Sequence, residues 1–418
     1  MEGAPGAARP VVVERSLCSR FRTPRSACAI CAALCPVGAI RIGDEGAEIV
    51  GSCHGCGVCF AACPNGAFRI DGRDDRAILA RIRDRCASPP AEFRIRCARG
   101  DAPADLVVPC LGRVTEALLL EPLRLGATAT ELLEPPCELC PSARAVAHLE
   151  KVVGRTRALC GLVGRGSDAI RRRPVPLRNL PGRRERPVTR RDFLGAMRAE
   201  AMGLAAASLP PDPGPPGGER RSFRDLLAER RESPKRLLLV ECLRGFHPRD
   251  RSASGAPPSS SPIARTIEVP SRDGLVAAFE VTRACTACGV CATLCPTGAM
   301  TTRWTDDDFV LEFRPWACTG CQVCVVVCAP RAIRPRETAP LDSLLGRREV
   351  PLLRARKATC RVCRAAFPAD GAEICPLCAD QQEKRLAGLP AVFKEREPCV
   401  RPLQASASTS TASSPAST

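Results

Sequence analysis

The sequence lacks tyrosine altogether and has two tryptophans and three histidines among 418 residues. So few histidines leave little room for histidine-based acid–base catalysis or for histidine-rich metal sites. No run of 18 apolar residues occurs, so we predict no membrane-spanning helix. The first residues have no charged start followed by a long apolar core, and secretion through a standard signal is therefore not expected.

Cysteine, by contrast, is abundant, with 28 residues. A chain so rich in cysteine is either disulfide-bonded and extracellular or reduced and metal-loaded. Three runs keep the spacing C-x2-C-x2-C-x3-C without change: Cys53, Cys56, Cys59 and Cys63; Cys285, Cys288, Cys291 and Cys295; and Cys318, Cys321, Cys324 and Cys328. This spacing is typical of thiolates that hold a cubane 4Fe-4S cluster, whereas zinc prefers two distant CxxC pairs. It favours bound metal and a cytoplasmic protein.

A fourth run is irregular. Cys28, Cys31 and Cys35 keep the later spacing, but Arg25 stands where a first cysteine is expected, and the next candidate is Cys18. The whole pattern is an internal repeat, because the first pair of runs, CAICAALCPVGAI and CHGCGVCFAACPNGAF, resembles the second pair, CTACGVCATLCPTGAM and CTGCQVCVVVCAPRAI. We call residues 17–70 the first repeat and residues 280–333 the second repeat.

Both repeats resemble bacterial-type dicluster 4Fe-4S ferredoxin domains. That resemblance implies crossed ligation, in which the last cysteine of each run binds the cluster of the other run. The implied sets are Cys285, Cys288, Cys291 and Cys328; Cys318, Cys321, Cys324 and Cys295; and Cys53, Cys56, Cys59 and Cys35. For the irregular run we predict Cys18, Cys28, Cys31 and Cys63 as the ligands of a fourth 4Fe-4S cluster, with a three-iron cluster or a non-cysteine ligand as the alternatives.

Between the repeats lies a middle unit with alternating strand and helix patterns. EFRIRC, DLVVPC and ATELLEPPC are predicted strands, and TEALLLEPLRLG and PSARAVAHLEKVVG are predicted helices. This order predicts a parallel sheet, at whose carboxyl edge ligands gather. Cys97, Cys110, Cys137 and Cys140 follow those strands and are predicted to converge on a fifth iron–sulfur cluster. Alternatively, Cys97 and Cys110 are small buried core residues.

The middle unit also resembles the iron–sulfur (delta) subunit of the methyl-viologen-reducing hydrogenase. The resemblance is carried by VVPCLGRV and LGATATELLEPPCELC, although Glu-Pro-Pro replaces the usual glycine-rich sequence beside the last cysteine pair. It implies a two-iron cluster and a link between a hydrogenase and a heterodisulfide reductase. From the residues alone, the fifth cluster is either 2Fe-2S or 4Fe-4S.

Near the C-terminus, two CxxC knuckles stand eleven residues apart, formed by Cys360, Cys363, Cys375 and Cys378. Two such knuckles suit tetrahedral structural zinc and resemble a zinc ribbon, with rubredoxin-type iron as the alternative. We call these residues the knuckle module. The remaining cysteines are predicted to be ordinary reduced thiols: Cys86, Cys160, Cys242 and Cys399.

These patterns predict an α+β multidomain chain with two ferredoxin-like dicluster domains, a small parallel α/β unit between them, a C-terminal zinc ribbon and disordered linkers. The predicted boundaries are 10–74 and 271–338 for the dicluster domains, 75–164 for the middle unit, 165–270 for an Arg/Pro-rich linker with helical segments, 352–392 for the zinc ribbon and 404–418 for a disordered tail. Within the linker, TRRDFLG from Thr189 matches a twin-arginine export motif, but an amphipathic helix also explains it.

The function predicted from the sequence is single-electron relay through 4Fe-4S clusters, with substrate chemistry left to a partner. Expected partners are a hydrogenase, a heterodisulfide-reductase-like enzyme, or a flavin- or molybdenum-containing oxidoreductase. The net charge of +17 suits an acidic docking face on that partner. Two alternatives remain: a catalytic iron–sulfur oxidoreductase subunit that uses the strand-end cysteines, and a nucleic-acid-binding zinc-ribbon protein.

Overall fold

The computed structural model describes residues 11–51, 53–70, 74–178, 223–246, 267–271, 274–369 and 371–393. The export-like segment at 189–195, most of the predicted linker, Cys399 and the tail at 404–418 lie outside the described residues. Within those residues helices and strands are mixed, which confirms the predicted α+β content. None of the described helices has both the length and the apolar character needed to cross a membrane.

The first repeat is built from short elements around its cysteines. In chain order they are β1 (Val11–Val13), α1 (Ser19–Arg22), α2 (Ile30–Leu34), β2 (Ile40–Gly43), β3 (Gly46–Ile49), α3 (Val58–Ala62) and β4 (Phe68–Ile70). Strand β1 pairs antiparallel with β4, and β2 with β3. The buried cluster of this repeat combines cysteines with Leu17, Phe21, Phe60 and Phe68. Apolar side chains are too few to form a core without the cysteines.

The middle unit contains a four-stranded sheet that includes the predicted parallel strands. Its elements are α4 (Asp75–Arg85), β5 (Glu92–Cys97), β6 (Leu106–Val108), α5 (Glu116–Arg124), β7 (Ala129–Glu134), α6 (Val146–Leu162) and β8 (Ile170–Pro174). All strand pairs are parallel, and the order is β6–β5–β7–β8. After β5, the next strand β6 therefore lies on one side of it and β7 lies on the other side. The carboxyl ends of β5 and β7 mark this switch point, where open α/β sheets bind ligands.

Strand β8 corrects the sequence prediction, because it lies in the segment predicted as linker from residue 165. The arginine-rich composition suggested a solvated segment, yet Ile170 is fully buried. The three arginines that follow it pair with glutamates of β5 and β7: Arg171 with Glu92, Arg172 with Glu134 and Arg173 with Glu131. Ion pairing across the sheet thus lets a highly charged segment form an edge strand.

Among the described residues between β8 and the second repeat are two helices, α7 (Phe223–Ala228) and α8 (Pro234–Gly245). Helix α8 starts with Ser233, whose side chain accepts a hydrogen bond from the backbone N–H of Arg236, and with Pro234 at its first position. Its buried Leu238, Leu239 and Leu243 join the core of the middle unit. The helix therefore packs between the middle unit and the two repeats.

The second repeat and the knuckle module share a sheet. The elements are β9 (Glu268–Pro270), β10 (Phe279–Val281), α9 (Val290–Thr293), β11 (Met300–Trp304), β12 (Asp308–Phe313), α10 (Val323–Val327), β13 (Ile333–Pro335), β14 (Thr338–Pro340), β15 (Val350–Thr359), β16 (Ala366–Ala369) and α11 (Pro376–Phe393). Strands β11 and β12 form an antiparallel hairpin. Strand β15 pairs with both β12 and β16, so the knuckle module continues the sheet of the second repeat.

A buried ion pair within the middle unit lies against the first repeat. Arg113 donates to Asp75 at 2.6 Å, with the two side chains 2% and 1% exposed. Thr115 donates to the other carboxylate oxygen of Asp75 at 2.9 Å. The guanidinium also lies 4.0 Å over the ring of Phe60, next to Cys59. An added Cβ on Gly57 would lie 2.2 Å from Arg113 Cδ, so this contact requires glycine there.

We expect Asp75→Ala to lower the free energy of unfolding by ~3–5 kcal/mol, because it leaves a buried guanidinium without its carboxylate. The measurement is urea unfolding of the metal-loaded protein, followed by circular dichroism. Glu45→Ala is the control, since it removes a largely exposed pair with Arg15 and should cost about 1 kcal/mol or less. Equal effects of the two substitutions would contradict the prediction.

Candidate metal centres

The three regular runs share one loop geometry. In each run the residues immediately before and after the second cysteine have left-handed backbone angles: Gly55 and Gly57, Ala287 and Gly289, and Gly320 and Gln322. Such turns direct backbone N–H groups towards the enclosed space. The N–H of Gly55 donates to Cys53 Sγ, and the N–H of Gly320 to Cys318 Sγ, both at 3.4 Å. The irregular run differs, because Ala29 has an ordinary φ of −137°.

All four runs, including the irregular one, end in the same way. The Sγ of the last cysteine accepts a hydrogen bond from the backbone N–H four residues later: Ala39 to Cys35 at 3.3 Å, Ala67 to Cys63 at 3.4 Å, Ala299 to Cys295 at 3.2 Å and Ala332 to Cys328 at 3.2 Å. The residue before each alanine is left-handed: Gly38, Gly66, Gly298 and Arg331. Donors to sulfur favour the thiolate, which is the form that binds metal.

In the first repeat, two sets of cysteines come together. Site B comprises Cys35, Cys53, Cys56 and Cys59. Burial, followed by the charges of Cys56, Cys53 and Cys31, raises the pKa of Cys59 to about 12. Burial raises the pKa of Cys56 as well, with contributions from Cys53 and Cys35. The four predicted thiols are therefore neighbours.

Site C comprises Cys18, Cys28, Cys31 and Cys63. Burial and then the charges of Cys63, Cys28 and Cys18 raise the pKa of Cys31 to about 12. Cys18 is itself buried at the start of α1. The structure thus brings Cys18, which lies ten residues before Cys28, to the irregular run. Cys18 replaces the first cysteine of the regular spacing, because that position is Arg25.

The second repeat contains the two corresponding sets. Site D comprises Cys295, Cys318, Cys321 and Cys324, and burial with the charges of Cys318, Cys321 and Cys295 raises the pKa of Cys324. Site E comprises Cys285, Cys288, Cys291 and Cys328. Burial and then Cys285 and Cys288 raise the pKa of Cys291 to about 12, and Cys328 contributes further. Cys288 is the exposed member of site E.

Site A is formed by the strand-end cysteines Cys97, Cys110, Cys137 and Cys140. They line one cavity of about 220 Å³ together with Cys56 of site B. Burial raises the pKa of Cys110 to about 12, with contributions from Cys56, Cys97 and Cys140. Arg99 Nη1 donates to Cys140 Sγ at 3.7 Å. Cys97 is buried and Cys110 is half-buried. Both line this cavity together with the pair Cys137 and Cys140.

These donor sets fit cationic iron rather than free thiols. Crowded, buried thiols with raised pKa values would be protonated on their own, and a bound cation reverses that preference. The backbone N–H groups that donate to sulfur also stabilise the thiolate form. Iron–sulfur clusters are held by such sets of four thiolates and are tuned by hydrogen bonds to sulfur.

The five sites form a continuous row. Neighbouring sites approach each other through one cysteine pair each: Cys110 and Cys56 between sites A and B, Cys59 and Cys31 between B and C, and Cys324 and Cys291 between D and E. Sites C and D meet at a cavity of about 390 Å³, which Ser19, beside Cys18, lines together with Cys28 of site C and Cys321 of site D. The order A–B–C–D–E therefore crosses from the middle unit through the first repeat to the second.

A buried amide that sequence reasoning missed holds sites C and D together. Asn65 Nδ2 donates to Leu17 O at 2.8 Å and to Ser19 Oγ at 2.9 Å. Thr319 Oγ1, beside Cys318, donates to Asn65 Oδ1 at 2.5 Å. The available signal was the asparagine itself, which follows Cys63-Pro where the other two Cys-Pro turns have Val37 and Thr297.

The knuckle module has a different geometry. The Sγ atoms of Cys360, Cys363, Cys375 and Cys378 all lie within 4.8 Å of one another. The N–H of Cys375 donates to Cys360 Sγ at 3.3 Å and is the largest cause that lowers the pKa of Cys360 to about 6. Four thiols this close can hold a single metal ion. Of the thiols predicted to be ordinary, Cys86, Cys160 and Cys242 are buried.

The comparison with protein families agrees with this geometry for one repeat. A model described as a 4Fe-4S dicluster domain matches residues 278–329, a range that contains every cysteine from Cys285 to Cys328. No curated protein matches the chain. The family match supports iron–sulfur clusters and an electron-transfer role.

In all four runs the third residue after the last cysteine is left-handed. Two of these residues, Gly38 and Arg331, give a matched pair of substitutions. We expect Gly38→Ala to destabilise the protein by about 1–2 kcal/mol, because φ is +64° and the added Cβ would meet no atom within 4 Å, so the cost is one of backbone strain.

Arg331→Gly should instead stabilise by roughly 0.5–1 kcal/mol, because relief of strain at φ +51° is partly offset by the entropy of glycine. Urea unfolding midpoints of the metal-loaded variants measure both changes. A loss of stability in Arg331→Gly as large as that in Gly38→Ala would show that the left-handed turn is not the cause.

Proposed function

We propose that this chain relays single electrons through iron–sulfur clusters held at sites A to E. The family match supports the electron-transfer role, and the observation that carries the proposal is the continuous row of five four-cysteine sites. In this proposal sites B, C, D and E each hold a 4Fe-4S cluster, and site A holds a fifth cluster with two or four irons. The bound clusters supply one-electron redox chemistry.

The protein's own contribution is to space, bury and tune these sites. Residues of sites A and B line one cavity and those of sites C and D another, which keeps these transfers short. The N–H groups that donate to Cys35, Cys63, Cys295 and Cys328 stabilise negative charge on sulfur and so favour reduction. Two repeats, a middle unit and a knuckle module are the proposed functional units.

The exposed end of the row supports a docking role. Cys288 of site E is exposed, and the nearby Arg283, Arg331 and Arg334 are exposed as well. Together with the net charge of +17, they favour an acidic redox protein as the partner at this end. The hydrogenase-subunit resemblance of the middle unit favours a hydrogenase or heterodisulfide-reductase-like partner at site A.

For the knuckle module we propose structural zinc. The close approach of its Sγ atoms suits one tetrahedral ion, and its sheet with β12 and β15 supports a structural role. A second candidate function is catalysis at site A, favoured by the cavity of about 220 Å³ beside its cysteines. Turnover by the isolated, cluster-loaded chain would support catalysis, and activity only in the presence of a partner would support the relay.

Anaerobic metal analysis of the full-length protein tests the assignment. We expect about 20 iron and 20 sulfide per chain if site A holds four irons, about 18 if it holds two, and about 16 if it holds none. Combined Cys97→Ser and Cys110→Ser should remove only the iron of site A. A colourless preparation without acid-labile sulfide would reject the proposal.

The zinc of the knuckle module is tested separately. Cys375→Ser should remove one zinc per chain and leave iron and sulfide unchanged, because no cysteine of this module belongs to sites A to E. Cys160→Ser is the matched control, since Cys160 is buried outside every site. Loss of iron rather than zinc in Cys375→Ser would indicate a rubredoxin-type centre.

A further inference from the structure

Three cations lie where the two repeats meet, between sites C and D. Arg22, on α1, is 2% exposed and Arg236, on α8, is 7% exposed. Lys235, which precedes Arg236 in the first turn of α8, is half-buried. Cations at the start of a helix are opposed by the helix dipole, and buried cations require a counter-charge. Their placement therefore calls for negative charge at this joint.

Lys235 faces site C. Its Nζ donates to Cys63 O at 3.1 Å and to Ala61 O. Burial raises the pKa of Cys63, and the N–H of Ala67 and the charge of Lys235 oppose that rise. The ammonium group thus lies against the backbone of a predicted ligand of site C.

Arg236 lines the cavity between the repeats together with Cys321 of site D, and Arg22 lies on α1, four residues after Cys18. Arg22 donates to the carbonyl oxygens of Ser16, Leu227 and Glu229. Burial lowers the pKa of Arg22, and the charge of Cys295 opposes this most strongly.

Arg236 Nη1 is buried and has no hydrogen-bond partner among the described residues. Burial lowers the pKa of Arg236, and the charge of Cys318 opposes this most strongly.

The carboxylates that face these cations within the described part of the chain are already paired with other arginines: Glu116 with Arg155, Glu229 with Arg231 and Asp75 with Arg113. A fourth cation, Lys151, lines the cavity of about 390 Å³ between the repeats. The counter-charge that remains is that of the thiolate sets of sites C and D. Each electron accepted there adds a further negative charge, which the three cations stabilise.

The other sites have less of this stabilisation. At site B the buried Arg113 is paired with Asp75 at 2.6 Å, so its charge is offset. At site E, Arg283, Arg331 and Arg334 are exposed, and water and salt screen them. Site A has one half-buried cation, Arg99, beside Cys140, whereas three cations lie at the joint between sites C and D.

We propose that Arg22, Lys235 and Arg236 make sites C and D the highest-potential centres of the row, so that the joint between the repeats stores two electrons. This inference rests on the proposed function, but it concerns the order of reduction rather than the presence of clusters. The protein would then collect two single electrons at its centre and release them to a two-electron acceptor.

The test is an anaerobic redox titration of the full-length, cluster-loaded protein, followed by electron paramagnetic resonance. Lys235→Gln and Arg236→Gln should each lower the reduction equilibrium constant of one couple about tenfold, which is 59 mV for one electron. The two couples that move should be the two reduced first in the unmodified protein. Arg236→Lys should leave the reduction potentials close to those of the unmodified protein, since lysine retains the positive charge.

Arg41→Gln is the control, because Arg41 lies exposed on β2 of the first repeat and should shift no couple. Iron and sulfide are measured in every variant, so that missing clusters count against the proposed function and not against this inference. If Arg236→Gln loses iron, Cys321→Ser is used instead. It changes a predicted ligand of site D and so identifies the couple that belongs to that site. Movement of a late-reduced couple in these variants, or no movement at full iron content, would overturn the proposal.

Discussion

The burial of crowded cysteine sulfurs is the constraint on which the rest of this molecule depends. Each predicted site gathers four cysteines, and burial and neighbouring charge raise the pKa of those such as Cys31, Cys59 and Cys291 to about 12. On their own such thiols stay protonated, and a cation bound among them favours the thiolates. Metal binding is then part of the folding free energy, and the few apolar residues of each repeat suffice because they pack around the cysteines.

Much of this arrangement could be predicted from the sequence because cysteine spacing and strand–helix alternation are local signals. The parallel pairing of β5, β6 and β7 was predicted from the alternation of strand and helix patterns. The convergence of Cys97 and Cys110 with the Cys137 and Cys140 pair followed from their positions at strand ends, since parallel strands bring those ends to one edge.

Other features depend on contacts between segments far apart in sequence. The composition of residues 165–178 indicated a linker, because it does not reveal that Arg172 meets Glu134 across a sheet. Likewise, nothing near Asn65 in the sequence points to Thr319, and the pattern of α8 predicts a helix without showing that Lys235 reaches Cys63. Long-range polar partners of this kind have no periodicity, so they become visible only in three dimensions.

The ten-residue strand β15 has a consequence for how the chain tolerates damage. It covers β12 along its full length and continues into the knuckle module through β16. Proteolysis that removed the chain from Val350 onwards would uncover the backbone N–H and C=O groups of β12. An uncovered edge of this kind recruits strands from other molecules, so loss of the knuckle module together with β15 would threaten solubility as well as local folding.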